Sequence, residues 1–225
     1  ERIPLRYIHA GSTNDFANSL EISKDMVKAA RDIIEGKLYS CDVGRFNKGN
    51  FVYIAAFGLF TDVSYETDQH LKNVLGHLAY LLEGSKRIWN VPTYWIRVDA
   101  NGRTFEGEYI YGMVTNARSV GGFKNLPGKD VHLDDGLFEV TLIKRPKNPI
   151  ELNEIIASLV MAENITSLVD SFKTDRILIE SNQEIPWTLD GEYGGEHSFV
   201  RIEAQKHAME LVLNPESSLP ALKAE

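Results

Sequence analysis

The hydrophobic pattern of the chain changes period once, about a sixth of the way along. Apolar residues run from Ile3 to His9 as in a buried strand, and Gly11-Ser12-Thr13-Asn14-Asp15 breaks the run. Met26, Ala29, Ala30, Ile33 and Ile34 then recur at helical spacing, with Ser23 as N-cap and Gly36 as stop. Strand, polar loop and helix make one unit of an open α/β layer.

Beyond Gly36 the pattern is that of strands. Leu38–Val43, Phe51–Phe57, Tyr94–Val98 and Thr104–Thr115 read as strands, and Asn101-Gly102 between two of them is a hairpin signal. Ile96 and Val98 alternate with Trp95 and Arg97, a half-buried face. Further strands are expected at Leu137–Ile143, Arg176–Glu180, Phe199–Ala204 and Met209–Leu213. Two apolar helical stripes interrupt them. One is Leu71, Val74, Leu75, Leu78, Leu81 and Leu82. The other is Leu152, Ile155, Ile156, Leu159 and Val160, opened by Asn148 and Pro149. The expected class is α+β, with an α/β remnant over residues 1–36 and a mainly antiparallel β domain over 37–225.

Composition narrows the function classes. The 225 residues carry 24 Lys+Arg against 32 Asp+Glu, a net charge of −8. That balance argues against a nucleic-acid coat and leaves room only for a local basic patch. The single cysteine, Cys41, excludes an intrachain disulfide framework and a multi-cysteine zinc site, and fits a reducing compartment. No apolar run is long enough to span a bilayer. Glu1-Arg2-Ile3-Pro4-Leu5 is not a signal peptide. It lacks a starting Met, which reads as a chain whose upstream part is missing.

Three segments could carry chemistry. Gly11-Ser12-Thr13-Asn14-Asp15-Phe16-Ala17 is a small-residue loop entering a helix, either a phosphate site or a plain cap by Asn14 or Asp15. Asp134-Asp135-Gly136-Leu137 could hold a hard cation or form only a β-turn. Thr188-Leu189-Asp190-Gly191-Glu192-Tyr193-Gly194-Gly195 could present a carboxylate base at a sheet edge, or be a hairpin turn. The six histidines show no recognised ligand spacing.

In this order the segments resemble the bacterial diacylglycerol kinase-like lipid kinases, relatives of the sphingosine and ceramide kinases. Gly11 to Ala17 is similar to that family's Gly-Thr-x-Asn-Asp-Phe-Ala motif. Ile54 to Phe60 with Lys72, Gly76 and Ala79-Tyr80, then Val114-Thr115-Asn116, Gly121-Gly122, Pro127, Asp135-Gly136-Leu137 and Asp190-Gly191-Glu192, follow its later motifs. Three departures stand out. The upstream Gly-Gly-Asp-Gly-Thr loop is absent, Ser12 replaces Thr, and His9 stands where Pro is common.

The resemblance implies an α/β nucleotide-binding domain, of which residues 1–36 are a remnant, followed by a β-sandwich lipid-kinase domain. It implies ATP-dependent phosphorylation of the hydroxyl of diacylglycerol or a similar lipid, with this chain alone inactive. Gly11, Ser12 and Asn14 would contact ATP, Asp15 would join the catalytic acidic network, and Glu192 would be the general base. Asp135, with the main-chain carbonyls of His132 and Leu137, would hold a structural Mg²⁺. The alternatives are a non-catalytic lipid- or protein-binding module and a kinase with another acceptor, NAD kinase-like. The expected setting is cytoplasmic, peripheral at the inner membrane face, with Lys124 and Lys129 in contact with lipid. No nucleic acid is expected, and exposed sheet edges could pair into a homodimer.

Overall fold

The computed structural model describes residues 3–11, 14–59, 91–122, 126–128, 130–161, 163 and 165–219. Ser12, the Leu71–Leu82 stripe, Lys124 and Lys129 lie outside them. Two short helices come first, α1 (Asp15–Ser19) and α2 (Met26–Asp32). The strands β1 (Lys37–Phe46), β2 (Gly49–Phe51), β3 (Ile54–Gly58), β4 (Tyr94–Ala100), β5 (Arg103–Thr115) and β6 (Phe138–Lys144) follow. Helix α3 (Pro149–Met161) precedes β7 (Val169–Thr174), β8 (Arg176–Leu189) and β9 (Glu192–Leu213).

The strands form one antiparallel sheet in the order β2-β1-β9-β8-β3-β5-β6-β7, with β4 pairing both β5 and β8. β5 pairs β3 through Tyr111–Thr115 and β4 through Arg103–Tyr109. β8 pairs β4 through Ile177–Ser181 and β3 through Trp187–Leu189. β3 and β4 are therefore two halves of one central strand, which the chain leaves after Gly58 and rejoins at Tyr94. The sheet curls on itself. Phe51 of β2 meets Phe138 of β6 with ring centroids 5.5 Å apart, although these strands lie near opposite ends of the order. The class is α+β, dominated by this sandwich-like sheet.

Three apolar clusters hold it. The inner one gathers Phe46, Phe57, Ile96, Val98, Ile179, Trp187, Val200 and Ile202 from the concave face. On one outer face, α3 lays Leu152, Ile155 and Leu159 against Ile54, Ile110, Met113 and Ile143. On the other, Leu20 with Tyr7, Phe16 and Ile22 covers Tyr39, Cys41, Leu211 and Leu213. The N-terminal segment thus packs onto β1 and β9.

Several elements differ from expectation. Ile3–His9 is not a buried strand. Leu5 alone forms a bridge, parallel, to Leu211, and Ile3 is 85% exposed. An apolar run becomes a strand only where a neighbouring ladder accepts it, and no second one is present among the described residues. The cap of α2 is Asp25, whose carboxylate accepts from Val27 N and Lys28 N, while the Ser23 hydroxyl accepts from Asp25 N. Only Ala29 of α2 is buried. Phe51–Phe57 is broken at Val52-Tyr53, and β9 runs unbroken where two strands were expected. β7 was not anticipated.

Candidate active site

A groove of about 530 Å³ opens between the N-terminal segment and the sheet. Leu5, Tyr7, Phe16, Val52, Met209 and Leu211 make its mainly apolar wall, interrupted by Arg6, and Asn14, Asp15, Tyr53 and Asp190 its polar end. The polar end follows from the breaks in regular structure. Asn14 turns the chain with a left-handed φ of 53°, its amide donating to Gly11 O, and Asp15 begins α1. α1 has five residues, so it contributes only a small dipole to any anion beside Asn14.

The Asp15 carboxylate is buried and fully engaged. Its Oδ1 accepts from Ser119 Oγ at 2.5 Å and its Oδ2 from Tyr53 OH at 3.0 Å. Gly122 N donates to both oxygens at 3.2 Å. Donors of this number make a buried charge tolerable. Burial, and then the Asp15 charge, push the Tyr53 phenol well above its ordinary pKa, so it remains a proton donor to that carboxylate. The rest of Tyr53 is clamped: its carbonyl accepts from Asn116 N at 3.0 Å and Thr115 Oγ1 at 2.6 Å.

Asp190 clamps it from the other side. Its Oδ1 accepts from Tyr53 N at 2.8 Å and Ile54 N at 2.9 Å, and its Oδ2 from Val52 N at 2.9 Å. Asp190 and Gly191 both have positive φ, 52° and 92°, which a two-residue hairpin with the native twist requires. Glu192 follows at the start of β9. It is exposed, and its carboxylate makes no hydrogen bond or ion pair among the described residues. The structure therefore gathers Asn14, Asp15 and Asp190 in one groove, with Glu192 on the adjoining turn and Gly11 exposed behind Asn14.

The Asp135 turn is a separate place. Asp135 Oδ1 accepts from Leu137 N at 2.9 Å, and Gly136 takes a φ of 84°. Asp42, wholly buried in β1, accepts from Gly136 N at 2.6 Å and His207 N at 2.7 Å. Burial raises the Asp42 pKa, and those two backbone donors oppose the rise. Asp135 Oδ2 has Lys173 Nζ at 3.9 Å, and the same ammonium lies 3.4 Å from Glu139, whose carboxyl burial pushes up to about 7. The His132 ring turns to Asp130, 3.0 Å away. No cluster of three or more His, Cys, Asp or Glu with metal-binding geometry occurs among the described residues.

The family model of the diacylglycerol kinase catalytic domain matches residues 1–46. Diacylglycerol kinase of Bacillus subtilis (strain 168) is 34% identical over 86% of this chain and 64% of its own length. That of Staphylococcus carnosus (strain TM300) is 33% identical over 87% of this chain and 64% of its own. Over most of its length the chain is similar to these bacterial diacylglycerol kinases. It spans just under two thirds of the length of these curated relatives. The fold agrees. A crystal structure of a diacylglycerol kinase from Bacillus anthracis str. Sterne superposes with a TM-score of 0.65 at 19% identity, covering 91% of this chain and 65% of that one. A second structure from that strain gives 0.75 at 24% identity, over 95% and 70%.

Tyr53, Ser119 and Asp42 were not singled out in the sequence. Ser119 lies between the matched Asn116 and Gly121-Gly122, which is the one local signal for it. Tyr53 sits in an apolar stretch and reads as core. Its role depends on Asp15, 38 residues earlier, and Asp190, 137 residues later.

Proposed function

We propose that this chain supplies the lipid-side domain and the general base of an ATP-dependent lipid kinase that phosphorylates the hydroxyl of diacylglycerol or a similar lipid. The observation that carries this reading is the groove: an apolar wall that ends at Asp15, Tyr53 and Asp190 suits an acyl chain terminating in a hydroxyl. Phosphoryl transfer depends on alignment and charge neutralisation, and a carboxylate that takes the hydroxyl proton assists it. Glu192 fills that role as the uncommitted carboxylate on the turn that Asp190 fixes. Asp15 acts beside it as an anchored charge that orients the groove's donors. Residues 1–36 belong with the nucleotide side and 37–225 with the lipid side. ATP contacts at Gly11, Ser12 and Asn14 rest on the motif match.

Among the described residues Asp135 Oδ2 accepts no hydrogen bond and has only the Lys173 ammonium 3.9 Å away, so in this reading a Mg²⁺ that keeps most of its waters would displace that ammonium and take the His132 and Leu137 carbonyls as further ligands. Its bound charge would steady the turn. Mg²⁺ should raise the melting temperature of the protein and leave that of D135A unchanged. Contact with the membrane is peripheral in this reading, consistent with the absence of any helix among the described residues long and apolar enough to cross a bilayer. The edges β2 and β7 are the surfaces through which two copies would pair.

A screen of labelled ATP over a lipid panel, with the intact gene product and with the 225-residue chain, tests the assignment. Transfer to diacylglycerol or a close analogue by the intact product alone is expected. Transfer to no lipid by either would overturn it.

A further inference from the structure

We propose that the Lys173 ammonium is a built-in cation of the Asp135 turn. It is shared between Asp135 and Glu139 in the absence of metal and withdraws from Asp135 when a divalent cation enters, so Lys173 sets how tightly the turn holds Mg²⁺. The identity of the incoming ion rests on the Mg²⁺ reading above; the lysine bridge does not.

The register builds the bridge. Lys173 of β7 is the direct cross-strand partner of Glu139 of β6, so their side chains leave the same face of the ladder. Glu139 is the unusual member. Only 2% of it is exposed, and neither carboxylate oxygen has a hydrogen-bond partner among the described residues. A carboxylate buried in that way is strongly disfavoured unless a countercharge stands beside it. Lys173 Nζ is that countercharge, at 3.4 Å. The same nitrogen lies 3.9 Å from Asp135 Oδ2 and donates to Asp130 O. One ammonium thus faces two carboxylates and a carbonyl oxygen, the oxygen donors that a hard cation takes.

The surroundings decide which member moves. The turn is held from behind: Asp42 accepts from Gly136 N, the His207 ring Nε2 lies 3.0 Å from Asp134 O, and Asp135 Oδ1 accepts from Leu137 N. Glu139 is fixed in β6, which is paired to β5 on one side and β7 on the other. The Lys173 side chain is 32% exposed and ends a flexible four-carbon stem. It can swing away without breaking a ladder. Its contact with Asp135 is also the longer of the two, and Glu139 has no other countercharge among the described residues. Lys173 therefore keeps Glu139 and releases Asp135.

The charges give the sign. An ammonium and a divalent cation repel each other at this range, so binding of one at Asp135 disfavours the other. The stem tethers the ammonium, which keeps its effective concentration at the turn high whatever the Mg²⁺ level. The turn is supported by a cation in either state, and it takes Mg²⁺ less tightly than it would without the lysine.

The test is thermal melting of the intact gene product against Mg²⁺, with titration calorimetry of Mg²⁺ on the same samples, for the parent, K173M, E139Q/K173M and D135A. Without metal, K173M should melt below the parent, because Glu139 has lost its countercharge. E139Q/K173M removes both charges and should recover most of that loss, so it carries the test if K173M folds poorly. K173M should bind Mg²⁺ at least about tenfold more tightly than the parent. E139Q/K173M has the net charge of the parent, so it should gain at least about threefold only if Lys173 competes directly for Asp135. D135A should lose the binding. Equal binding by the parent and both lysine variants would overturn the exchange and leave the Mg²⁺ site standing. Weaker binding by E139Q/K173M would make Lys173 a support of the site and overturn the exchange as well. Undiminished binding by D135A would place the ion elsewhere, with the same consequence. No binding by any of the four proteins would overturn both the exchange and the Mg²⁺ reading.

Discussion

The floor of the groove and the turn beside it treat carboxylates in opposite ways. Asp15 is buried with two hydroxyls and a backbone amide upon it, and Asp190 gathers three consecutive backbone amides. Glu192, two residues beyond Asp190, is exposed with no such partner among the described residues. A carboxylate whose lone pairs are taken by donors holds the backbone around it in place. One without donors has room to accept a hydrogen bond from an incoming hydroxyl. The two kinds of carboxylate differ in their hydrogen bonds, which the motif alone does not distinguish.

Variants can break that contrast from either side. E192Q keeps the size of the side chain and removes the acceptor charge, so turnover of the intact enzyme should fall by roughly 10²-fold or more at unchanged stability. D190A should act on the fold. It removes the acceptor from Val52, Tyr53 and Ile54 amides and puts Ala at a positive φ, costing about 2 kcal/mol, or roughly 4–8 °C in thermal melting. D190N keeps one acceptor oxygen and tolerates that φ, so it should lose about half as much. An equal loss in both would mean that the amide contacts are not what holds the turn.

Y53F should be milder. Asp15 keeps Ser119 and Gly122 as donors, so the cost is about 1 kcal/mol in chemical denaturation. A cost near zero would remove the phenol from the network. The smallest effect concerns Glu21, at the far end of the N-terminal segment. It accepts from Ser217, Ser218 and Arg118 and so ties the chain's later residues to α1. Burial opposes its ionisation, but the bonds from Ser218, Ser217 and Arg118 outweigh it and lower its pKa from 4.5 to about 2. A folded-state value below the unfolded one gives stability that is present above about 4.5 and is lost as pH falls toward 2. E21Q should therefore narrow the gap in melting temperature between neutral and acid pH. An unchanged gap would show the clasp to be solvated.

How much of this was legible depended on how local each feature is. Asn101-Gly102 needs only its two residues to define a hairpin, and both have positive φ, 53° and 71°. The Asp190-Gly191 turn is equally local. β7 was not legible, because Val169-Asp-Ser-Phe-Lys-Thr has no clear alternation and is a strand only through its ladder with β6. The Ile3–His9 run shows the reverse error: its apolarity was visible, but the single bridge to Leu211 depends on a partner more than 200 residues away. In the groove, the motif residues Asn14, Asp15 and Asp190 could be named from sequence. Tyr53 could not, since its meaning comes from contacts that only the closed sheet creates. The break at Val52-Tyr53 has the same origin: those amides turn from the ladder to the Asp190 carboxylate.

The assignment of Glu192 as the base is tested most directly by single-turnover phosphorylation of diacylglycerol by the intact enzyme and its E192Q variant, with ATP binding measured on the same samples. A rate lowered by roughly 10²-fold at unaltered ATP affinity is the expected result. Near-normal transfer by E192Q would contradict the account and move the proton acceptor elsewhere.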